Sequence, residues 1–172
     1  MSGAKADWRA DRRRYGARGW MQRSLWAVAV YRFGRWVDEQ PPGARRRALS
    51  LGYWAAFLVA ETLTGVSILK DVSIGSGLRI HHAGPVVVNA GVVIGANCTM
   101  EHGVTLGVRH PGGPVPRLGD DVVLGAYAQV LGDVTVGDGA HVGALTLVLD
   151  DVPPGATAVG VPARLVSRRE AR

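Results

Sequence analysis

Residues 118–148 read LGDDVVLGAYAQVLGDVTVGDGAHVGALTLV, and an apolar residue opens every sixth position: Leu118, Leu124, Val130, Val136, Val142 and Val148. Traced toward the N-terminus, the beat continues through Leu106, Met100, Ile94, Val88, Ile80, Ile74 and Ile68. A period of six fits neither a helix nor a simple strand. It fits a chain that turns a corner every six residues, so that three hexads close one triangular turn. Small residues follow many of the leading positions (Gly75, Gly95, Gly119, Gly125, Gly137, Gly143), as a tight corner requires. Four places after the leader comes a second small or branched residue, such as Val92, Cys98, Val122, Ala128 or Ala140. Stacked turns would bury both sets as continuous ladders, which is the pattern of a parallel β-helix.

Two stretches break the beat, and both hold histidine. IHHAGPVV (80–87) carries His81 and His82 and lengthens one step by two residues; GVRHPGGPVPR (107–117) carries His110 and replaces one beat altogether. Three hexads beyond His82, allowing for the two extra residues, lies His102. The spacing therefore stacks His102 one turn from His82, about 4.8 Å away along the coil. Continued in steps of three hexads, this column predicts Asp120 and Asp138, with Val108, Ala126 and Ala144 in the column beside it. Two imidazoles and a carboxylate are thus expected at one corner, next to a groove of small residues. The loop from Val108 to Arg117, with two glycines and three prolines, is expected to leave the coil, where binding residues concentrate.

The 172 residues suffice for one well-cored domain and a smaller appendage. Residues 1–50 hold twelve Lys or Arg against four Asp or Glu, whereas the rest hold eight against ten. The basic N-terminal part lacks any nucleic-acid recognition motif, so its arginines read as solvated helix faces or anion contacts. One cysteine, Cys98, forms no internal disulfide and suits a reducing cytoplasm. No cysteine cluster marks a metal site. The first twenty residues lack the apolar segment of a signal peptide, and the apolar run 48–60 is too short to span a bilayer.

Ahead of the repeat, residues 7–20 and 21–37 read as two helices, the second with Leu25, Val28, Ala29, Arg32, Phe33 and Trp36 at helical spacing. Pro41, Pro42 and Gly43 break the chain, and 44–63 reads as a third helix stopped at Thr64 and Gly65. The division expected is a helical region at 1–65, the coil at 66–152 and a C-terminal extension at 153–172, where the polar tail SRREAR would fray.

Several segments resemble the hexapeptide-repeat acyltransferases, in particular the serine O-acetyltransferase-like proteins: SGLRIHHAGPVVVNAGVVIGANC (76–98), GVTLG (103–107), VVLGAYAQVLGDVTVGDGAHVGA (122–144) and DVPPGATAVGVPARLV (151–166). The YRFGRW segment (31–36) is similar to the same family's N-terminal part. The resemblance implies a mainly β fold, a left-handed parallel β-helix preceded by a small α-helical region. It also implies an acetyl-CoA-dependent O-acetyltransferase of the cytoplasm that needs no metal and assembles as a homotrimer, possible also as a dimer of trimers, with sites between subunits. His82 matches the family's general base. Imidazole titrates near neutral pH and can take the proton of a hydroxyl attacking a thioester. Coenzyme A would lie along Gly107, Ala126 and Ala144, with Arg164 near a phosphate.

L-serine is the first acceptor implied, for cysteine biosynthesis; a sugar or polysaccharide precursor is the second. Serine-specific members carry Asp beside the histidine and at the start of the coil, where this chain has His81 and Ser67. Substrate contacts are then expected from His81, His102, Arg109 and His110, with Asp11 facing an ammonium. A zinc lyase on the same coil needs three His ligands, and no HxxxxH spacing occurs. A non-catalytic β-helix scaffold is the remaining alternative.

Overall fold

A computed structural model describes residues 3–166, so the tail 167–172 lies outside the described residues. The chain builds a parallel β-solenoid of about five turns behind a helical region. The first face stacks Val66–Ile68, Val86–Val88, Thr105–Gly107, Gln129–Leu131 and Leu147–Val148. The second stacks Ser73–Ile74, Val93–Ile94, Arg117–Leu118 and Thr135–Val136. The third stacks Arg79–Ile80, Thr99–Met100, Val123–Leu124, His141–Val142 and Thr157–Val159, and Arg164–Val166 turns back antiparallel on the last of these. The expected C-terminal extension thus contributes strands of its own to the third face.

All thirteen leading residues of the beat, Ile68 to Val148, are at most 7% exposed. Val72, Val92, Cys98, Val104, Val122, Ala128, Val134 and Ala140 are buried with them. Each fully buried aliphatic side chain contributes roughly 1.5–3 kcal/mol relative to an exposed one, so the ladder is the principal apolar core. Corners stay tight because adjacent turns touch: a Cβ on Gly125 would come within 2.5 Å of the Ala144 amide nitrogen. Cys98 packs as a small apolar residue, and burial pushes its thiol up to about 11.

Register shows where the turns change length. Ile80 pairs with Met100, twenty residues on, across the histidine bulge. Leu124 pairs with Val142, eighteen residues on, in the regular part. Met100, however, pairs with Leu124, twenty-four residues on. The loop after Gly107 therefore leaves the coil and rejoins it with one extra hexad in that turn.

Helix α1 spans Ala4–Tyr15, α2 Arg23–Asp38 and α3 Ala44–Thr64, with a short 3-10 turn at Gly19–Met21. The third helix stops at Gly65, whose φ of 73° gives the left-handed C-cap that glycine adopts without strain. Polar side chains sew α1 and α2 to the coil. Tyr31 Oη donates to the Val72 carbonyl at 2.9 Å, and Ser24 Oγ donates to the Ile80 carbonyl at 2.8 Å. Arg14 Nη1 donates to the carbonyls of Gly77 and Asn97, each at 2.6 Å. Part of the N-terminal basic charge therefore serves to cap open carbonyls of the coil rather than to face solvent.

Candidate active site

The strand Arg79–Ile80 ends at the corner between the third and first faces, and the two extra residues of the bulge place His81 and His82 there. His82 has a φ of 64°. A left-handed backbone costs a non-glycine residue about 1–2 kcal/mol, and Asn97, Asp121, Tyr127 and Leu145 share this conformation elsewhere in the coil. The ring of His82 is solvent-exposed and lies 5.9 Å from that of His102, at 81°. The stacking predicted from the beat is therefore present. His81, half-buried, sits 6.4 Å from His82 on the other side. Burial, then the Arg79 charge, hold the His81 imidazole below its ordinary value, which favours its neutral form.

Beyond His102 the column differs from the expected one. Because the loop adds a hexad, the residue facing His102 in the next turn is Ala126, then Ala144, then Gly160 in line with the pair Val142 and Ala158. Asp120 and Asp138 belong to another corner. There the Asp120 carboxylate accepts the Ala96 N–H at 2.6 Å and the Asp120 N–H donates to Asp138 Oδ1 at 2.8 Å. No aspartate of that ladder reaches the imidazoles; the histidine corner continues directly into the small-residue groove. Three steps of about 4.8 Å separate His82 from Ala144, roughly 14 Å of open column. Arg164 pairs with Val159, beside Gly160 at the far end.

Tyr127, next to Ala126, is a site residue that the beat did not single out. Its φ is 59° and its ring stands edge-on to His102 at 5.2 Å. Counting the loop as an added hexad brings Tyr127 beside His102, so the signal lay in the phase rather than in the residue type. His102 Nδ1 is buried without a hydrogen-bond partner among the described residues.

Other expected positions lie elsewhere. Gly107 is at the far end of the first face, across a strand from the histidine corner, and is not in line with Ala126 and Ala144. Arg109 and His110 are exposed on the loop that leaves from that far end, and Arg109 Nε donates to the Leu131 carbonyl at 3.0 Å. Asp11 is inaccessible: Arg32 Nε donates to it at 2.7 Å, Arg32 Nη2 at 3.2 Å and the Leu78 N–H at 2.8 Å. Its carboxylate fastens α1 and α2 to the coil and is not open to an ammonium group in this chain.

The repeat described as "Bacterial transferase hexapeptide (six repeats)" matches residues 116–149, and "Hexapeptide repeat of succinyl-transferase" matches 85–109. A soybean serine acetyltransferase solved in complex with serine superposes with a TM-score of 0.76 at 37% identity, over 95% of this chain and 68% of that one. This chain belongs to the serine acetyltransferase family of hexapeptide-repeat transferases. A curated serine acetyltransferase of Synechococcus elongatus is 34% identical over 148 residues, 85% of this chain and 58% of that protein. A serine acetyltransferase solved in complex with CoA superposes with a TM-score of 0.75 at 29% identity, over 95% of this chain and 69% of that one. The chain spans 50% to 66% of the length of curated serine acetyltransferases that it matches.

Proposed function

We propose that this chain transfers the acetyl group of acetyl-CoA to the hydroxyl of L-serine, with His82 as general base. The observation that carries the reading is the column His82, His102, Ala126, Ala144 and Gly160. An exposed imidazole opens it, an open line of small residues continues it, and Arg164 closes it. A narrow extended arm fits beside alanines and glycine where larger side chains would fill the slot, and an arginine at the end suits a phosphate. Solved relatives in complex with serine and with CoA support both ligands.

In the reaction, His82 takes the hydroxyl proton as the oxygen attacks the thioester carbonyl. The new C–O bond forms, the C–S bond breaks, and the proton passes from the imidazolium to the departing thiolate. Such a base contributes about 10² to 10⁴ in rate. His102, in edge contact with His82 and held by Tyr127, orients it.

The loop bearing Arg109 and His110 leaves from a different corner than the histidines. A homotrimer would bring the loop of one subunit to the histidine corner of the next, which supports sites shared between subunits. A dimer of trimers is a further assembly compatible with that arrangement. Sedimentation at micromolar concentration is expected to give a trimer or a hexamer, and a monomer would overturn the shared site. Burial of the single free thiol fits a cytoplasmic protein.

A sugar or polysaccharide-precursor hydroxyl is the second reading, favoured by His81 standing where serine-specific relatives carry Asp. Thiol release from acetyl-CoA across a panel of amino-acid and sugar acceptors separates the two. Turnover with serine is expected. Turnover with sugars alone would move the protein to the second reading.

A further inference from the structure

Helix α3 turns an apolar face to solvent. Of its 21 residues only Tyr53, Ala60 and Thr64 are buried. Leu51, Trp54, Leu58, Val59 and Leu63 are between 48% and 74% exposed. At 3.6 residues per turn these five fall in one arc, opposite Tyr53 and Ala60, with exposed Ala55 and Thr62 between them. The strip runs roughly 18 Å along the helix. Contiguous exposed apolar surface of this kind marks an interaction site, whereas scattered single residues do not.

Charge collects at the ends of the strip. Arg45, Arg46 and Arg47 occupy the first turn; Arg46 is shared with Asp38 at 3.2 Å, but Arg45 and Arg47 are exposed and form no ion pair among the described residues. A groove of about 500 Å³ joins the two chemistries, since Arg46, Arg47 and Ser50 line it together with Leu51 and Trp54. At the other end Arg23 Nη1 donates to the Leu63 carbonyl at 3.3 Å, which brings the start of α2 alongside, where Trp20, Met21 and Trp26 are exposed. Between Ala48 and Leu63 the one charged residue is Glu61, half-buried.

We propose that α3 is a docking surface for a bilayer of anionic phospholipid, on which the helix lies along the interface. Leu51, Trp54, Leu58 and Leu63 enter the boundary between headgroups and acyl chains, and Arg45 and Arg47 reach the phosphates. An apolar face with arginines beside it is the pattern of an interfacial helix, and no described helix is long and apolar enough to cross a membrane. Tryptophan suits that depth because its ring is apolar and its N–H is polar. Arginine can lay its stem on the apolar layer while its head stays with the anions. A second copy of the chain would bury the same strip, but α3 would offer those arginines a single carboxylate, Glu61. It would also bring together two N-terminal parts that each hold twelve Lys or Arg against four Asp or Glu over residues 1–50. Acidic phospholipid supplies both the apolar layer and the counter-charge.

Flotation of the full chain with vesicles tests the docking and measures no turnover, so its outcome is independent of the transferase reading. Partitioning is expected to be at least about tenfold stronger onto phosphatidylcholine mixed with phosphatidylglycerol than onto phosphatidylcholine alone, and to weaken at high salt. Leu51→Ser combined with Leu58→Ser should lower partitioning onto the mixed vesicles at least about tenfold. Both side chains are exposed, and an unchanged Tm shows that the fold is kept. Arg45→Gln combined with Arg47→Gln should remove most of the preference for the acidic lipid. A wild type that stays in the aqueous fraction, or a double serine variant that floats like the wild type, overturns the proposal. If the wild type stays in the aqueous fraction and the double serine variant sediments as a smaller particle, the face joins two copies of this chain instead.

Discussion

Replacing Asp11 with Asn is expected to weaken the fold rather than the affinity for an acceptor. The Asp11 side chain is 0% exposed and Arg32 is 3% exposed. Burial raises the Asp11 carboxyl above its usual range even against the Arg32 charge, so desolvation offsets much of what the pair gains. Breaking such a pair is nevertheless worse than keeping it. Asn loses the charge and turns an amide NH₂ toward either Arg32 or the Leu78 N–H, both of which are donors. Loss of one partner of a buried pair costs about 3–5 kcal/mol. Asp7 lies 3.5 Å from Arg32 Nη1 and retains part of the attraction, which places the expected loss near the lower end, about 3 kcal/mol. For a chain of this size that corresponds to a drop in Tm of about 6–12 °C. Thermal melts of both proteins at equal protomer concentration measure it, since an oligomer's Tm depends on concentration. A Tm within 2 °C of the wild type (roughly 1 kcal/mol or less), together with a raised KM for serine, would refute the structural role and return Asp11 to the acceptor.

Ala144→Trp is expected to abolish binding of coenzyme A in calorimetry while leaving the far-UV circular dichroism unchanged, because the residue is exposed on the column; unchanged affinity would place the donor elsewhere. His81 gives a pH signature. Its folded pKa lies below the ordinary value of 6.5, so as pH falls below about 6.5 the unfolded chain takes up a proton first, and stability declines until the folded value is passed. His81→Gln should lose that share of the decline in urea midpoints between pH 7.5 and 5.5, and an identical slope in both proteins would contradict the burial.

The coil was legible because its period is imposed by backbone corners and paid out in aliphatic side chains that recur regardless of loop content. Every residue from Ile68 to Val148 placed on the beat is in the core. The pairing of His82 with His102 was also legible, since the bulge between them is short and its two extra residues can be counted. Phase was lost at the second interruption. The number of residues that an excursion contributes to its turn depends on where the chain rejoins the coil, and the apolar pattern is silent inside the loop. That single hexad exchanged Asp120 for Ala126 and hid Tyr127. Asp11 failed for a different reason: its partner Arg32 is on another helix, and only helix docking brings the two together.

The most direct test of the account is thiol release from acetyl-CoA with L-serine as acceptor, comparing the wild type with His82→Ala. Wild-type turnover is expected, with a loss of about 10² to 10⁴ in the variant and acetyl-CoA affinity held within a few-fold, since the base acts on the acceptor's proton. Wild-type turnover in His82→Ala would contradict the assignment of His82 as the base.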